Sequence, residues 1–141
     1  MAGIRYQCTL DDITSSQLGG FFVGWPNPPN AQTLLEILRG SYRIWLAVET
    51  TSGRVVGFIN SISDGILSAF IPLLEVLPDF KNQGVGTVLV ERLVADLSHL
   101  YSTDLLCDVE LQPFYERLGL RRATGMLVRN YANQSGSGAD Y

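Results

Sequence analysis

Near the start of the chain, Ile4, Tyr6, Cys8 and Leu10 alternate with Arg5, Gln7 and Thr9. This period of two predicts a half-buried strand over 4–10. The alternation then stops. Residues 13–18 suit one short helical turn, and Gly19-Gly20-Phe21-Phe22-Val23-Gly24-Trp25-Pro26 reads as an aromatic loop between breakers. Leu34, Leu35 and Leu38 fall at helical spacing behind Asn30, a good N-cap, and ahead of Gly40, which predicts a helix over 31–38. Two strand-like runs, 42–49 and 54–61, flank the hairpin-length loop Thr50-Thr51-Ser52-Gly53, and Asp64-Gly65 separates the second from a third run over 68–76. An antiparallel meander is expected there. The period changes again where Val85, Val88, Leu89, Leu93 and Leu97 share one face of a helix over 83–98. A short apolar strand over 104–107, a helix over 111–118 closed by Gly119 and a final strand over 121–130 carrying Met126 and Val128 complete the expected elements.

Composition narrows what such a chain can do. With 141 residues, 46% hydrophobic and 17% charged, it suits one folded domain rather than a disordered segment. That domain is expected over 1–131, followed by a small, polar and flexible tail over 132–141. Ten Lys and Arg against fourteen Asp and Glu give a net charge of −4, which is unfavourable for a phosphate backbone, so no nucleic-acid partner is expected. The uncharged stretch 13–35 reaches membrane-spanning length but contains Pro26, Pro28 and Pro29, whose broken backbone hydrocarbon would leave unsatisfied, so no membrane partner is expected either. No secretory pattern opens the chain. Cys8 and Cys107 lack metal-ligand spacing, and a single histidine, His99, cannot complete a common zinc set with them. Reduced thiols, a cytoplasmic location and no metal are therefore expected.

The chemistry concentrates in Leu74-Glu75-Val76-Leu77-Pro78-Asp79-Phe80-Lys81-Asn82-Gln83-Gly84-Val85-Gly86, an apolar strand that stops at a proline and turns through two glycines into a helix. Such a turn presents free amide N–H groups and the positive end of a helix dipole where no side chain obstructs an anion. The glycines equally suit a tight strand-to-helix turn without a ligand. Neither a Rossmann fingerprint nor a Walker loop fits, because Val88 and Leu89 stand where a third glycine would be and no Gly-Lys-Ser or Gly-Lys-Thr follows.

At these residues the sequence resembles the GNAT acetyltransferase superfamily. Its coenzyme-A signature, Gln/Arg-x-x-Gly-x-Gly/Ala, is matched by Lys81-Asn82-Gln83-Gly84-Val85-Gly86 at both glycines, with Lys81 in place of the first residue. The superfamily's second signature is similar to Phe114-Tyr115-Glu116-Arg117-Leu118-Gly119-Leu120, in the matching order and at matching spacing. The likeness covers about 43–122 and looks closest to small-amine, arylalkylamine-like acetyltransferases. It implies an α/β (α+β) domain with a mixed, mainly antiparallel sheet whose fourth and fifth strands splay, flanked by helices. It also implies direct acetyl transfer from acetyl-CoA, a cosubstrate, to a primary amine. The gap between the strands would hold the pantetheine arm against the amides of Leu74 and Val76. Amides of Gln83, Gly84, Gly86 and Thr87, with the Lys81 cation, would face the pyrophosphate. Tyr115 matches the superfamily's proton donor to the departing thiolate.

A base is also needed, because an amine with a pKa of about 10.4 is almost wholly protonated near neutrality. The arylalkylamine enzymes place a histidine pair where this chain has Phe70 and Pro72, and His99 falls at the far end of the long helix. Glu75, Asp108 and Asp64 remain as acidic candidates, with relay through water as the default. Phe21, Phe22 and Trp25 supply aromatic faces that suit a cation with hydrocarbon attached, with Asp64 adding negative potential. A small cationic amine, of arylalkylamine or polyamine type, is the expected acceptor. A protein amino terminus or lysine, and an acyl-CoA-binding module without turnover, are the alternatives. A homodimer is compatible with all three.

Overall fold

The computed structural model describes residues 3–137. Its elements are β1 (Ile4–Gln7), α1 (Ala31–Arg39), β2 (Arg43–Glu49), β3 (Val55–Ser63), β4 (Ser68–Phe70), β5 (Leu74–Val76), α2 (Val85–Asp96), β6 (Ser102–Asp104) and α3 (Gln112–Arg117). The strands form one mixed sheet in the order β1-β2-β3-β4-β6, with β5 also paired to β3. All pairings are antiparallel except β4 with β6.

Local chemistry explains the element ends. The Asn30 side chain accepts from Thr33 N–H at 2.8 Å and opens α1, and Gly40 ends it. The expected third strand of the meander divides because Pro72 has no N–H to give to a ladder. Its first half, β4, pairs Ile62 with Phe70 and Ser63 with Ala69; its second half, β5, pairs Gly57 with Val76 and Ile59 with Leu74.

Two cores cover the two faces of the sheet. Leu89, Val90 and Leu93 of α2, with Leu97 at its C-cap, pack with Ala47, Ile59 and Ile71 on one face. Leu34, Leu35 and Leu38 of α1 pack with Leu46, Val48, Phe58 and the loop residues Leu18 and Phe22 on the other. Gly57 permits the approach of α2: a Cβ there would sit 3.1 Å from Val85 Cγ1 and 3.2 Å from Leu89 Cδ1.

Three expectations need correction. The first strand ends at Gln7 rather than Leu10, and the strand expected over 104–107 forms at Ser102–Asp104, where β4 offers an edge. The final strand expected over 121–130 does not form. Its apolar side chains stay exposed, Met126 at 96% and Val128 at 91%, because no neighbouring edge pairs with this stretch among the described residues. In the tail, Tyr131–Asn133 make a 3₁₀ turn, and the Gln134 side-chain oxygen accepts from Asn27 N–H at 2.9 Å; residues 138–141 lie outside the described residues.

Candidate active site

The divided strand builds the site. β4 runs beside β6, but β5 does not pair with the continuation of that strand and, among the described residues, has β3 alone as a partner. Leu77 N–H donates to the Val56 carbonyl at 2.8 Å, and the Leu73 carbonyl accepts from Asn60 N–H at 3.2 Å. Backbone groups alternate along a strand, so those of Leu73, Glu75 and Leu77 face β3 while those of Leu74 and Val76 face the open edge. The fourth and fifth strands of the sequence reading thus splay as expected.

From β5 the chain passes through a 3₁₀ turn at Pro78–Phe80 to the opening of α2. Asn82 at φ 62° and Gly84 at φ 83° both adopt the left-handed conformation, which reverses the chain tightly enough for α2 to start beside β5. No side chain caps this helix, and its first internal bond runs from Val88 N–H to the Gly84 carbonyl at 3.2 Å. The amides of Val85, Gly86 and Thr87 therefore have no acceptor in the helix ladder. They open a positive helix end toward the groove.

That groove has a volume of about 540 Å³ and joins β5, the start of α2, α3 and the aromatic loop. Leu74, Glu75, Val76, Lys81, Gly84, Gly86, Thr87 and Tyr115 all line it, as does Phe21. Phe80, Asn82 and Phe114 line it as well, and sequence reasoning missed them. Only Asn82 carried a readable signal, since asparagine next to a turn glycine tolerates positive φ. Gln83 does not line the groove; its side chain donates to the Asp79 carbonyl at 3.1 Å.

Two lining groups have displaced acidities. Tyr115, 8% exposed and edge-on to Phe114 at 4.9 Å, has its phenol pushed up to about 12 by burial and, secondly, by Cys107. It holds its proton throughout the neutral range. Burial also pushes the Glu75 carboxyl above the usual range, against the Phe22 N–H and Lys81, which pull it down. Glu75 is thus both a groove carboxylate and the acceptor of a loop hydrogen bond, from Phe22 N–H at 2.9 Å.

The other acidic candidates stand elsewhere. Asp64 Oδ1 accepts from Ile66, Leu67 and Ser68 N–H at 2.8, 2.9 and 3.4 Å, so this carboxylate shapes the hairpin and lines no cavity described here. Those bonds hold its pKa below the usual value. Asp108 is exposed at the start of a 3₁₀ turn and also lines neither cavity. Phe22 and Trp25, 4.7 Å apart, face a second cavity on the α1 side of the sheet. His99 is exposed and hydrogen-bonds to the Tyr42 hydroxyl at 3.1 Å, away from the groove.

A mixed sheet split along one edge, with a bare helix start beside the split, defines a fold shared with known proteins. The family model "Acetyltransferase (GNAT) domain" matches residues 40–121, more than half of the chain. A crystal structure of a proposed acetyltransferase from Deinococcus radiodurans R1 is 50% identical, with a TM-score of 0.92 over 96% of this chain and 94% of that one. GCN5-related N-acetyltransferase 1, chloroplastic, from Arabidopsis thaliana is 28% identical over 89% of this chain and 62% of its own length. Serotonin N-acetyltransferase 2, chloroplastic, from Oryza sativa subsp. japonica is 31% identical over 69% of this chain and 50% of its own length. The chain thus spans about half to three fifths of these two curated relatives. It belongs to the GNAT family of acetyltransferases.

Proposed function

We propose that this groove transfers an acetyl group directly from acetyl-CoA to a primary amine, and that the amine is a small cation with an aromatic or extended body. The carrying observation is that the unpaired edge of β5, the free amides opening α2 and the Tyr115 phenol line one cavity. The open edge suits the amide-bearing pantetheine arm, with Leu74 N–H polarising the thioester carbonyl. The α2 amides, with Lys81 beside them, suit the pyrophosphate. A Cβ at Gly84 would meet nothing within 4 Å, so the cradle is open on the groove side.

The amine nitrogen attacks the thioester carbon; the C–N bond forms and the C–S bond breaks. The Tyr115 proton passes to the leaving sulfur, and the nitrogen's surplus proton passes to Glu75 directly or through water. Neither step needs a covalent enzyme intermediate, and no cysteine–histidine hydrogen bond forms among the described residues: Cys8 is exposed, and Cys107 has its thiol pushed up by burial and by Asp108. The aromatic residues Phe21, Phe22 and Trp25, and the rice relative named for serotonin, support an arylalkylamine-type acceptor.

The test is an amine panel with acetyl-CoA and detection of released thiol. Arylalkylamines and polyamines should be acetylated in preference to acidic amino acids. Acetylation of a peptide amino terminus or lysine, without any free amine, would move the assignment to a protein acceptor. Acetyl-CoA binding with no acetylation of any acceptor would leave only a binding module.

A further inference from the structure

The stretch 121–130 has a strand's pattern and no edge, while β6 has an edge and no strand on it. Every residue over 121–130 is exposed, and none belongs to a strand. The stretch is tied to its own copy on either side: Arg122 Nη2 meets Glu116 Oε1 at 2.8 Å, and the Gln134 side-chain oxygen accepts from Asn27 N–H at 2.9 Å. It touches its own Leu106 at Gly125, where a Cβ would lie 2.5 Å from Leu106 Cδ2. The next three residues, Met126, Leu127 and Val128, stand in water, and contiguous apolar exposure of this kind marks an interaction site. No backbone N–H over 121–130 is hydrogen-bonded within the copy.

The edge of β6 is the complement. Ser102 N–H donates to the Leu67 carbonyl at 3.2 Å, and Ile71 N–H donates to the Asp104 carbonyl at 2.9 Å, so Ser102 and Asp104 turn their backbone groups toward β4. By alternation those of Thr103 and Leu105 turn to the other side, where no strand pairs among the described residues. Beside this edge the sheet face is bare as well: Ile62 and its partner Phe70 are exposed, as is Leu106 just past β6. Charge matches the two parts. Residues 121–130 carry Arg121, Arg122 and Arg129 and no acid, whereas residues 102–110 carry Asp104, Asp108 and Glu110 and no base. Of the three arginines, Arg122 alone makes an ion pair among the described residues.

We propose that two copies of this chain form a dimer in which the stretch 121–130 of each lies as a strand on the free β6 edge of the other. Donor stretch and acceptor edge belong to the same chain, so one two-fold axis satisfies both and leaves neither to recruit a third copy. The added strand pairs with Thr103 and Leu105, its apolar run covers the bare end of the sheet, and its arginines meet the acids that follow β6. The assembly goes beyond the acetyl-transfer reading and does not depend on it.

Light scattering on the purified full chain at micromolar concentration should give twice the chain mass. Hydrogen exchange should show the 121–130 amides slowed in the dimer and fast on dilution to the monomer. Leu127→Pro removes one ladder N–H that the single copy does not use, and should raise the dimer dissociation constant at least about tenfold. Arg121→Glu with Arg129→Glu sets an acidic stretch against an acidic edge; Asp104→Lys with Asp108→Lys sets a basic stretch against a basic edge. Each double variant, checked as folded by circular dichroism, should be monomeric alone, and an equimolar mixture should recover the dimer mass because each stretch then meets an edge of opposite charge. A monomeric wild type, a dimer whose 121–130 amides exchange freely, or folded charge variants that dimerise alone or fail to associate on mixing would overturn the proposal. Protection of 121–130 that persists in the monomer would overturn it too, by placing the strand on its own β6.

Discussion

Glu75 Oε1 accepts a 2.9 Å hydrogen bond from the backbone N–H of Phe22, a residue held at φ 62°. One carboxylate thereby ties the aromatic loop to the strand whose other edge is open. The same bond favours the ionised form of a group whose pKa burial pushes above the usual carboxyl value. Position and acidity are coupled: the group proposed to take a proton from the amine also ties down the loop proposed to wall the acceptor site.

Glu75→Gln separates these duties, because a carboxamide oxygen still accepts from Phe22 N–H but takes no proton at neutral pH. The variant should stay folded and lose on the order of 10²-fold or more in kcat. In the wild type, kcat should fall as pH drops through the raised Glu75 pKa, and that limb should vanish in the variant. Stability runs the other way. A carboxyl with a folded pKa above its unfolded value contributes stability that is present below the unfolded pKa and lost as pH rises through the folded one. Thermal melts should therefore show Glu75→Gln gaining on wild type from acidic to neutral pH. Unchanged kcat would assign the proton to water.

Tyr115→Phe should lower kcat on the order of 10²-fold with little change in acetyl-CoA affinity, since a donor to the leaving thiolate acts chiefly in the transition state. With the phenol pushed up to about 12, the wild-type kcat should show no basic limb from this group near neutrality. The hydroxyl makes no hydrogen bond among the described residues, so its removal should leave Tm nearly unchanged. Melting curves beside stopped-assay kinetics check both halves; wild-type turnover would remove Tyr115 from the mechanism.

The ends of α1 were readable because they rest on neighbours in sequence: Asn30 caps it three residues upstream of its donor, and Gly40 stops it. The opening of α2 was readable for the same reason, since Gly84 at φ 83° sets its own backbone. Residues 121–130 were not, because alternation describes a strand only where a neighbour supplies an edge, and here Met126 and Val128 remain exposed. The site divides on the same principle. Leu74, Gly86 and Tyr115 belong to local signatures, whereas Phe80 and Phe114 become lining residues only when the turn after β5 and α3 are brought to one groove. Asp64 reads two ways because Asp-Gly signals a turn and acidity signals a site, and the three backbone bonds to Oδ1 show the turn using the carboxylate.

The two signature glycines should fail differently. Gly84 sits at φ 83°, so Gly84→Ala introduces left-handed strain of about 1–2 kcal/mol and should lower both Tm and acetyl-CoA affinity. Gly86 lies inside α2, and a Cβ there would meet Phe114 Cζ at 3.6 Å and Val76 Cγ2 at 3.9 Å, which are ordinary contacts. Gly86→Ala should therefore hold or raise Tm while weakening acetyl-CoA by about tenfold, if a ligand backbone or phosphate occupies that space. Calorimetry on the folded variant decides: unchanged affinity would place the pyrophosphate away from Gly86.

Asp64 offers the complementary control, a carboxylate that matters to the fold and not to the amine. Its Oδ1 organises the loop between β3 and β4 through Ile66, Leu67 and Ser68, and those backbone bonds hold its pKa below the usual value. A carboxyl with a depressed folded pKa contributes stability that is present above its unfolded pKa, about 3.9, and lost as pH falls through the folded value. Asp64→Ala should lower Tm at neutral pH, with the difference from wild type shrinking on acidification below the ordinary aspartate range. The amine KM should stay at the wild-type value, because neither cavity is lined by this residue. A raised amine KM at unchanged Tm would return Asp64 to the acceptor site and make its loop bonds incidental.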